Sequence, residues 1–563
     1  MTTGRRSARG RSLLCLPALL TLLACGGDPP PADPIPYALP ESVLAGRQAR
    51  YLPVEFRGRA DDLPTAEREL LRRLVQAGEF LDRAYWDQVA PGAWELRQTL
   101  AASAAPRDAA ILRLLLLNAG PFDRLLSWEP FVGESLRPPG GGFYPEFVMR
   151  DEIERRFDPA SGTGGDLFSP TTVVRREGGV LVATPFHEAF REWVEPAAAL
   201  IQEAAALASD LGLVSAIAGT AEALLTDDSL AAEADLLGIP AGSAAFVLGP
   251  AGTADDRLLG LKRSYGALVG RVDAAATEPL AVYAWEFPAL QARLAAGGAL
   301  PPGGASALQI VAITDLYRGG ALAYGYQEGS LLLPLDPRAA PGASARLLIS
   351  PAVIAARVQH LVLPVGTAVA ELQRAAVTAD SATAIALMHA VGHALGPRLA
   401  GPAVAPTLLA VALREEQAWV EEAKAEAVGL DALQALRQQG KLPTADARGD
   451  ATSALAGLIA AARLGDGEPA GLAATVALNW HRERGGITYD HASATWAADL
   501  ERLGDSASRL ARELLEIQAT GDRPGAARLR QIYGKADPDL RATLRRLSSQ
   551  PAALAPSIAV TWE

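Results

Sequence analysis

Between Pro64 and Leu117 the apolar residues fall at helical spacing, with Leu70, Leu71, Leu74 and Val75 on one face and Glu and Arg between them. Pro138 to Gly142 breaks that pattern and predicts a loop. Thr171–Val174 and Val180–Thr184 flank Glu177-Gly178-Gly179, which predicts a hairpin. Phe190 to Leu211 is Ala-rich and predicts one long helix. Short apolar runs at Leu280–Tyr283, Leu308–Ile313 and Leu331–Leu333 predict strands. From Pro351 onward nearly every segment has helical periodicity, and no fixed-period repeat is present. Strands in the middle and helices toward the C-terminus predict an α+β protein with a separate helical lobe.

At 563 residues the chain exceeds one ordinary domain and predicts roughly two or three. Hydrophobic residues make up 49%, enough for a large core. A net charge of −12 argues against nucleic acid as a partner. The N-terminus has the layout of an export signal. Arg5, Arg6, Arg9 and Arg11 precede an apolar stretch from Leu13 to Leu23, too short to span a bilayer as a mature helix. It ends in Leu22-Leu23-Ala24-Cys25-Gly26, which looks like a bacterial lipoprotein signal with cleavage before Cys25 and lipid on its thiol. An ordinary secretory signal with a coincidental cysteine is the alternative. Cys15, the other cysteine, lies in the part removed, so the mature chain would have no disulfide. Gly26 to Pro40 contains six prolines and predicts a stiff, unfolded tether. The expected destination is the cell envelope, with the chain held at the membrane by its lipid on the periplasmic or outer-membrane face.

The densest chemistry lies at Leu387-Met388-His389-Ala390-Val391-Gly392-His393-Ala394-Leu395-Gly396-Pro397. His389 and His393 are four apart, so on a helix both can reach one metal ion. In the H-E-x-x-H pattern the residue after the first histidine is a glutamate that acts as general base. Here it is Ala390, whose methyl group cannot take a proton. About thirty residues on, Glu421, Glu422 and Glu426 sit on a second helical pattern. One carboxylate can complete a zinc site, and another one turn on can hold a histidine by its other ring nitrogen. The alternative is a polar helix face that binds nothing.

His389-Ala-Val-Gly-His393-Ala-Leu-Gly396-Pro397, followed by Glu421-Glu422-Ala-Lys-Ala-Glu426, resembles the short bacterial form of dipeptidyl peptidase III. Gly142-Phe143-Tyr144-Pro145, Gly249-Pro250 with Asp256 to Lys262, and Gly521-Asp522 to Tyr533-Gly534-Lys535 extend the resemblance over about residues 140 to 540. It implies two lobes around a cleft: a mostly helical zinc lobe, and a lobe of helices plus a small β-barrel. It also implies one zinc ion on His389, His393 and Glu422, with Glu426 behind a histidine. The expected division is a signal at 1–24, a tether at 25–45, one lobe at 46–345 and the metal lobe at 346–563. A segment near 257–300 is a candidate to cross between lobes.

The departures from the family are equally informative. Where the family has a glutamate that holds the substrate amine and a tyrosine near the scissile carbonyl, this sequence has Gly252 and Ala254. Two asparagines that hold the peptide N-terminus are replaced by Leu332 and Leu335. A histidine expected upstream of Asn479-Trp480 is absent, and His481 is out of position. Losing base, amine clamp and carbonyl-polarising groups together predicts a catalytically impaired member whose cleft takes a peptide or an apolar ligand. The alternatives are a zinc hydrolase using another base, such as Glu421 or Glu426, and a metal-free scaffold.

Overall fold

The computed structural model describes residues 38–156, 164–239, 244–296, 304–327, 329–340, 344–402, 405–442 and 447–563. Cys25 and most of the expected tether lie outside these residues. The tether as drawn to residue 45 is too long. Residues Glu41–Gln48 form a helix, Leu44 is fully buried, and Leu39 N–H donates to the Phe131 carbonyl.

Two hydrophobic cores organise the molecule. The first gathers residues from Leu44 to Val269 and includes the long helix Thr65–Val89. The second is built largely from helices between Ile354 and Leu547. A five-stranded sheet lies between them, in the order 244–252, 264–272, 307–320, 344–349, 330–333. Its pairs are antiparallel except 307–320 with 344–349, which is parallel. The sheet curls into a half-barrel, the form taken here by the expected barrel.

Alternation along its strands assigns each face to a core. Leu308, Ile310 and Ala312 enter the second core, while Val311 and Ile313 enter the first. Ala345, Leu347 and Ile349 likewise face the second core, and Leu348 the first. A register irregularity between Pro250 and Gly252 interrupts the pairing near the end of the edge strand that carries Gly252.

The hairpin stands at Thr172–Glu177 and Val180–Pro185. The run Leu280–Tyr283 is not a strand. Pro279 opens a helical turn that continues as Ala281–Ala296, and Leu280, Tyr283, Phe287 and Leu290 repeat at helical spacing into the second core. The crossing between lobes therefore begins near residue 273 rather than 257, since Leu259 to Val269 belong to the first core. The helix expected over 190–211 ends at Ala205, and Asp210 caps a second one, Leu211–Thr226, through Leu213 N–H. The C-terminal residues do not stay in the helical lobe. Ala553–Thr561 pairs in parallel with Tyr51–Arg59, joining both ends of the described chain in one ladder. Among the described residues no helix is long and apolar enough to cross a membrane.

Candidate metal centre

Two helices in the second core carry the chemistry: Ala379–Ala394, with the histidines, and Gln417–Gln438, with the glutamates. Thr378 caps the first by accepting from Ser381 N–H. Two glycines set their distance. A Cβ on Gly392 would lie 2.3 Å from the Ala425 carbonyl oxygen, and one on Gly429 would lie 2.6 Å from that of Met388. Backbone therefore packs on backbone, and short carboxylates on one helix reach imidazoles on the other.

His389, His393 and Glu422 each offer one donor atom, and the three lie within 4.8 Å of one another. Glu422 Oε2 is 3.5 Å from His389 Nε2, and Glu422 Oε1 is 3.9 Å from His393 Nε2. The opposite ring nitrogens are held from behind. His389 Nδ1 faces Glu426 Oε2 at 3.2 Å, and His393 Nδ1 faces Glu421 Oε1 at 2.9 Å. Each Nδ1 can donate to its carboxylate, and both Nε2 atoms turn toward the common point, where a metal ion would take the place of a proton. Glu421 is fixed in turn by the Lys424 ammonium at 2.8 Å and by Gln518, which donates at 2.6 Å. Lys424, 1% exposed, also donates to the carbonyls of Gly392, His393 and Leu395.

Burial would depress the His389 imidazole, but hydrogen bonds and charge from Glu422 and Glu426 raise its pKa to about 10. Burial would push the Glu421 carboxyl up, yet Lys424 and His393 hold it far below the usual carboxylate range. His389 Nε2 and Glu422 Oε2 are buried and face each other at 3.5 Å, with no closer polar partner for either among the described residues. Two imidazoles and a carboxylate, with polar atoms left over and a surplus of negative charge, fit a divalent zinc ion.

A cleft of about 450 Å³ opens beside these groups, between the helical wall and the curled sheet. His393, Glu421 and Glu422 line one side. Gly252, Ala254, Leu332 and Leu335 line the other, so the positions expected to have lost substrate-binding groups share a cavity with the candidate metal residues. Ala390 is 1% exposed and belongs to the second core. His481 accepts or donates with Ser506 Oγ at 2.8 Å and is buried, which pushes its pKa down to about 3. It does not line the cleft.

Glu421 and Glu426, the alternative bases, are both committed to Nδ1 atoms. Sequence reasoning missed Lys424 as the brace of the histidine helix. It also missed Glu468, which lines the cleft at the start of the helix Pro469–Glu483. Burial raises the Glu468 pKa to about 7, with Arg124 opposing and Asp255 and Glu422 adding to the shift. The Pro469 that follows it is a helix-start signal that could have placed it at an element end.

Solved structures resemble this chain over nearly its whole length. Dipeptidyl-peptidase III from Corallococcus sp. strain EGB aligns with a TM-score of 0.85 and 27% identity, covering 92% of this chain and 97% of that one. Dipeptidyl peptidase III from Caldithrix abyssi aligns with a TM-score of 0.77 and 25% identity, covering 91% and 98%. Nudix hydrolase 3 of Arabidopsis thaliana is 24% identical over 553 residues, spanning 88% of this chain and 71% of that protein. No family model matches the chain.

Proposed function

Given that this chain belongs to the dipeptidyl peptidase III-like family, we propose that it is a lipid-anchored, zinc-holding member with impaired peptide hydrolysis, whose cleft binds a ligand. One observation carries this reading. His389, His393 and Glu422 converge with their supporting carboxylates in place, while the position of the general base is a buried methyl group. Zinc held by these three residues supplies Lewis acidity. Glu426 and Glu421 orient the imidazoles, and Lys424 fixes Glu421. None of these groups is placed to take a proton from an attacking water. On the sheet side, Gly252 and Ala254 offer no amine clamp, and Leu332 and Leu335 present apolar surface. That wall favours an apolar ligand over a charged peptide N-terminus. The lipid on Cys25 would hold the molecule at the cell envelope.

The test combines metal analysis with a fluorogenic dipeptidyl substrate. The purified chain should carry stoichiometric zinc, lose it on His389→Ala, and release no dipeptide. Ala390→Glu alone should not restore release, because the opposite wall stays unchanged. Chelator-sensitive turnover by the unaltered chain would refute the impairment. Mass spectrometry of the N-terminal peptide checks the anchor: acylated Cys25 supports it, and an unmodified start elsewhere rejects it.

A second reading is favoured by Glu468 alone. A carboxyl in the same cleft with a pKa near neutrality is suited to general acid–base work. If the chain hydrolyses any acyl substrate, Glu468→Gln should lower kcat by about 10²-fold or more and remove the pH dependence around 7.

A further inference from the structure

Behind the metal residues lies a second, smaller pocket of about 110 Å³. It sits within the helical lobe, and His389, Glu422 and Glu426 form one wall. Its other walls are aliphatic, with Ile354, Val358, Leu361, Ile385, Leu458 and Ala474 facing the space. Tyr326, Ser330, Glu422 and Ala470 line both this pocket and the main cleft, so the two communicate.

Arg357 is the feature that asks for an occupant. Its guanidinium lies over the Tyr326 ring at 4.1 Å and lines the pocket. It makes no ion pair and no hydrogen bond among the described residues. Burial lowers its pKa to about 10, and the only charges raising it are Glu422 and Glu426, neither of which is in contact with it. The half-buried guanidinium faces the pocket with no paired anion, and a bidentate carboxylate would satisfy its fork. The helix Pro351–Arg357 passes at once into a single π-turn, Val358–Val362, which contributes Val358 and Leu361 to the wall. Such turns are frequent at binding sites.

We propose that this pocket binds a compact apolar group bearing a carboxylate, with Arg357 as the anion's anchor. The proposal rests on the ligand-binding reading of the cleft and names the ligand's chemistry. The size limits the occupant. An apolar cavity of about 150 Å³ holds a benzene molecule, so this space suits one branched aliphatic side chain and excludes a long acyl chain. The neighbouring Glu422 and Glu426 select a monoanion over a phosphate dianion. Two sources share this chemistry: the C-terminal residue of a peptide lying in the cleft, and a free branched-chain carboxylic acid.

Calorimetry on the full purified chain separates them. The probes are 4-methylpentanoate, a tetrapeptide ending in leucine as its free acid, and the same tetrapeptide as its C-terminal amide. A peptide source predicts that the acid binds at least tenfold more tightly than the amide and more tightly than 4-methylpentanoate. A free-acid source predicts binding of 4-methylpentanoate with no gain from the peptide. In either case Arg357→Met should weaken binding at least tenfold and Arg357→Lys less. Ala474→Phe, which fills the pocket while leaving Arg357 in place, should also abolish binding and guards against a misfolded Arg357 variant. Acid and amide binding equally, or Arg357→Met binding as the parent does, would overturn the proposal. If neither peptide form binds and 4-methylpentanoate does not either, the proposal fails outright. Bound zinc and loss of metal with His389→Ala report separately on the cleft reading.

Discussion

The two walls of the cleft differ in what they still hold. On the helical wall both imidazoles have a carboxylate that orients them. Glu426 stands behind His389, Glu421 stands behind His393, and Lys424 and Gln518 stand behind Glu421. The sheet wall is lined by Gly252, Ala254, Leu332 and Leu335, none with a side-chain polar atom. A candidate metal site and the wall that faces it can thus differ in character within one cavity. The first depends on two helices locked together by Gly392 and Gly429, and the second on a strand edge where side chains can change without moving the backbone.

Breaking the helical wall should have the largest effects. Glu422→Ala is expected to leave the fold intact and reduce zinc affinity on the order of 10³-fold, about a third of the free energy of a zinc site. Competition with a chromophoric chelator measures it, and an unchanged affinity would remove Glu422 from the ligand set. Lys424→Met should lower stability by about 3 kcal/mol, because it strands the buried Glu421 carboxylate and three carbonyls of the histidine helix. Urea unfolding checks this, and a loss below about 1 kcal/mol would show the brace to be dispensable.

A smaller effect is expected at the cleft's junction. The Glu468 carboxyl is raised from 4.5 to about 7, so burial costs nothing below pH 4.5 and progressively more as pH rises toward 7, where the cost levels off. That displacement corresponds to at most about 3 kcal/mol. Glu468→Gln should therefore flatten the stability profile between those pH values and gain on the parent at pH 8. A parallel profile for the two proteins would contradict the burial argument. The smallest change is predicted on the sheet wall. Leu332→Asn with Leu335→Asn should cost under about 1 kcal/mol of stability, since both leucines are only partly buried, and should improve binding of a free peptide N-terminus a few-fold. If that double variant instead collapses the fold, these leucines serve packing between the lobes.

The convergence of the candidate metal residues was legible because their spacing is local: histidines four apart and glutamates four apart each define one helix face. The hairpin at 172–185 was legible for the same reason, having its turn glycines between its strands. The strands Ala244–Gly252 and Ser264–Val272 were not, because alanine and glycine, which carry little strand propensity, supply five of nine residues in the first and three of nine in the second. Leu280–Tyr283 misled because four apolar-rich residues fit either period, and only the continuation to Phe287 and Leu290 decides for helix. Ala553–Thr561 pairs with a segment some five hundred residues earlier, which no local pattern reveals. Lys424, Glu468 and Arg357 acquire their roles from neighbours distant in sequence, so composition alone left them as ordinary charges.

The sheet shared by the two cores has a consequence for how the molecule comes apart. Strands 307–320 and 344–349 contribute alternate side chains to opposite sides, so neither core can melt without exposing the inner face of the other. Denaturation should then follow one cooperative transition, with the same midpoint for tryptophans in the first core, such as Trp86, and in the second, such as Trp496. Lobes joined by such a party wall can flex about the cleft, but they share a single fate when the protein unfolds.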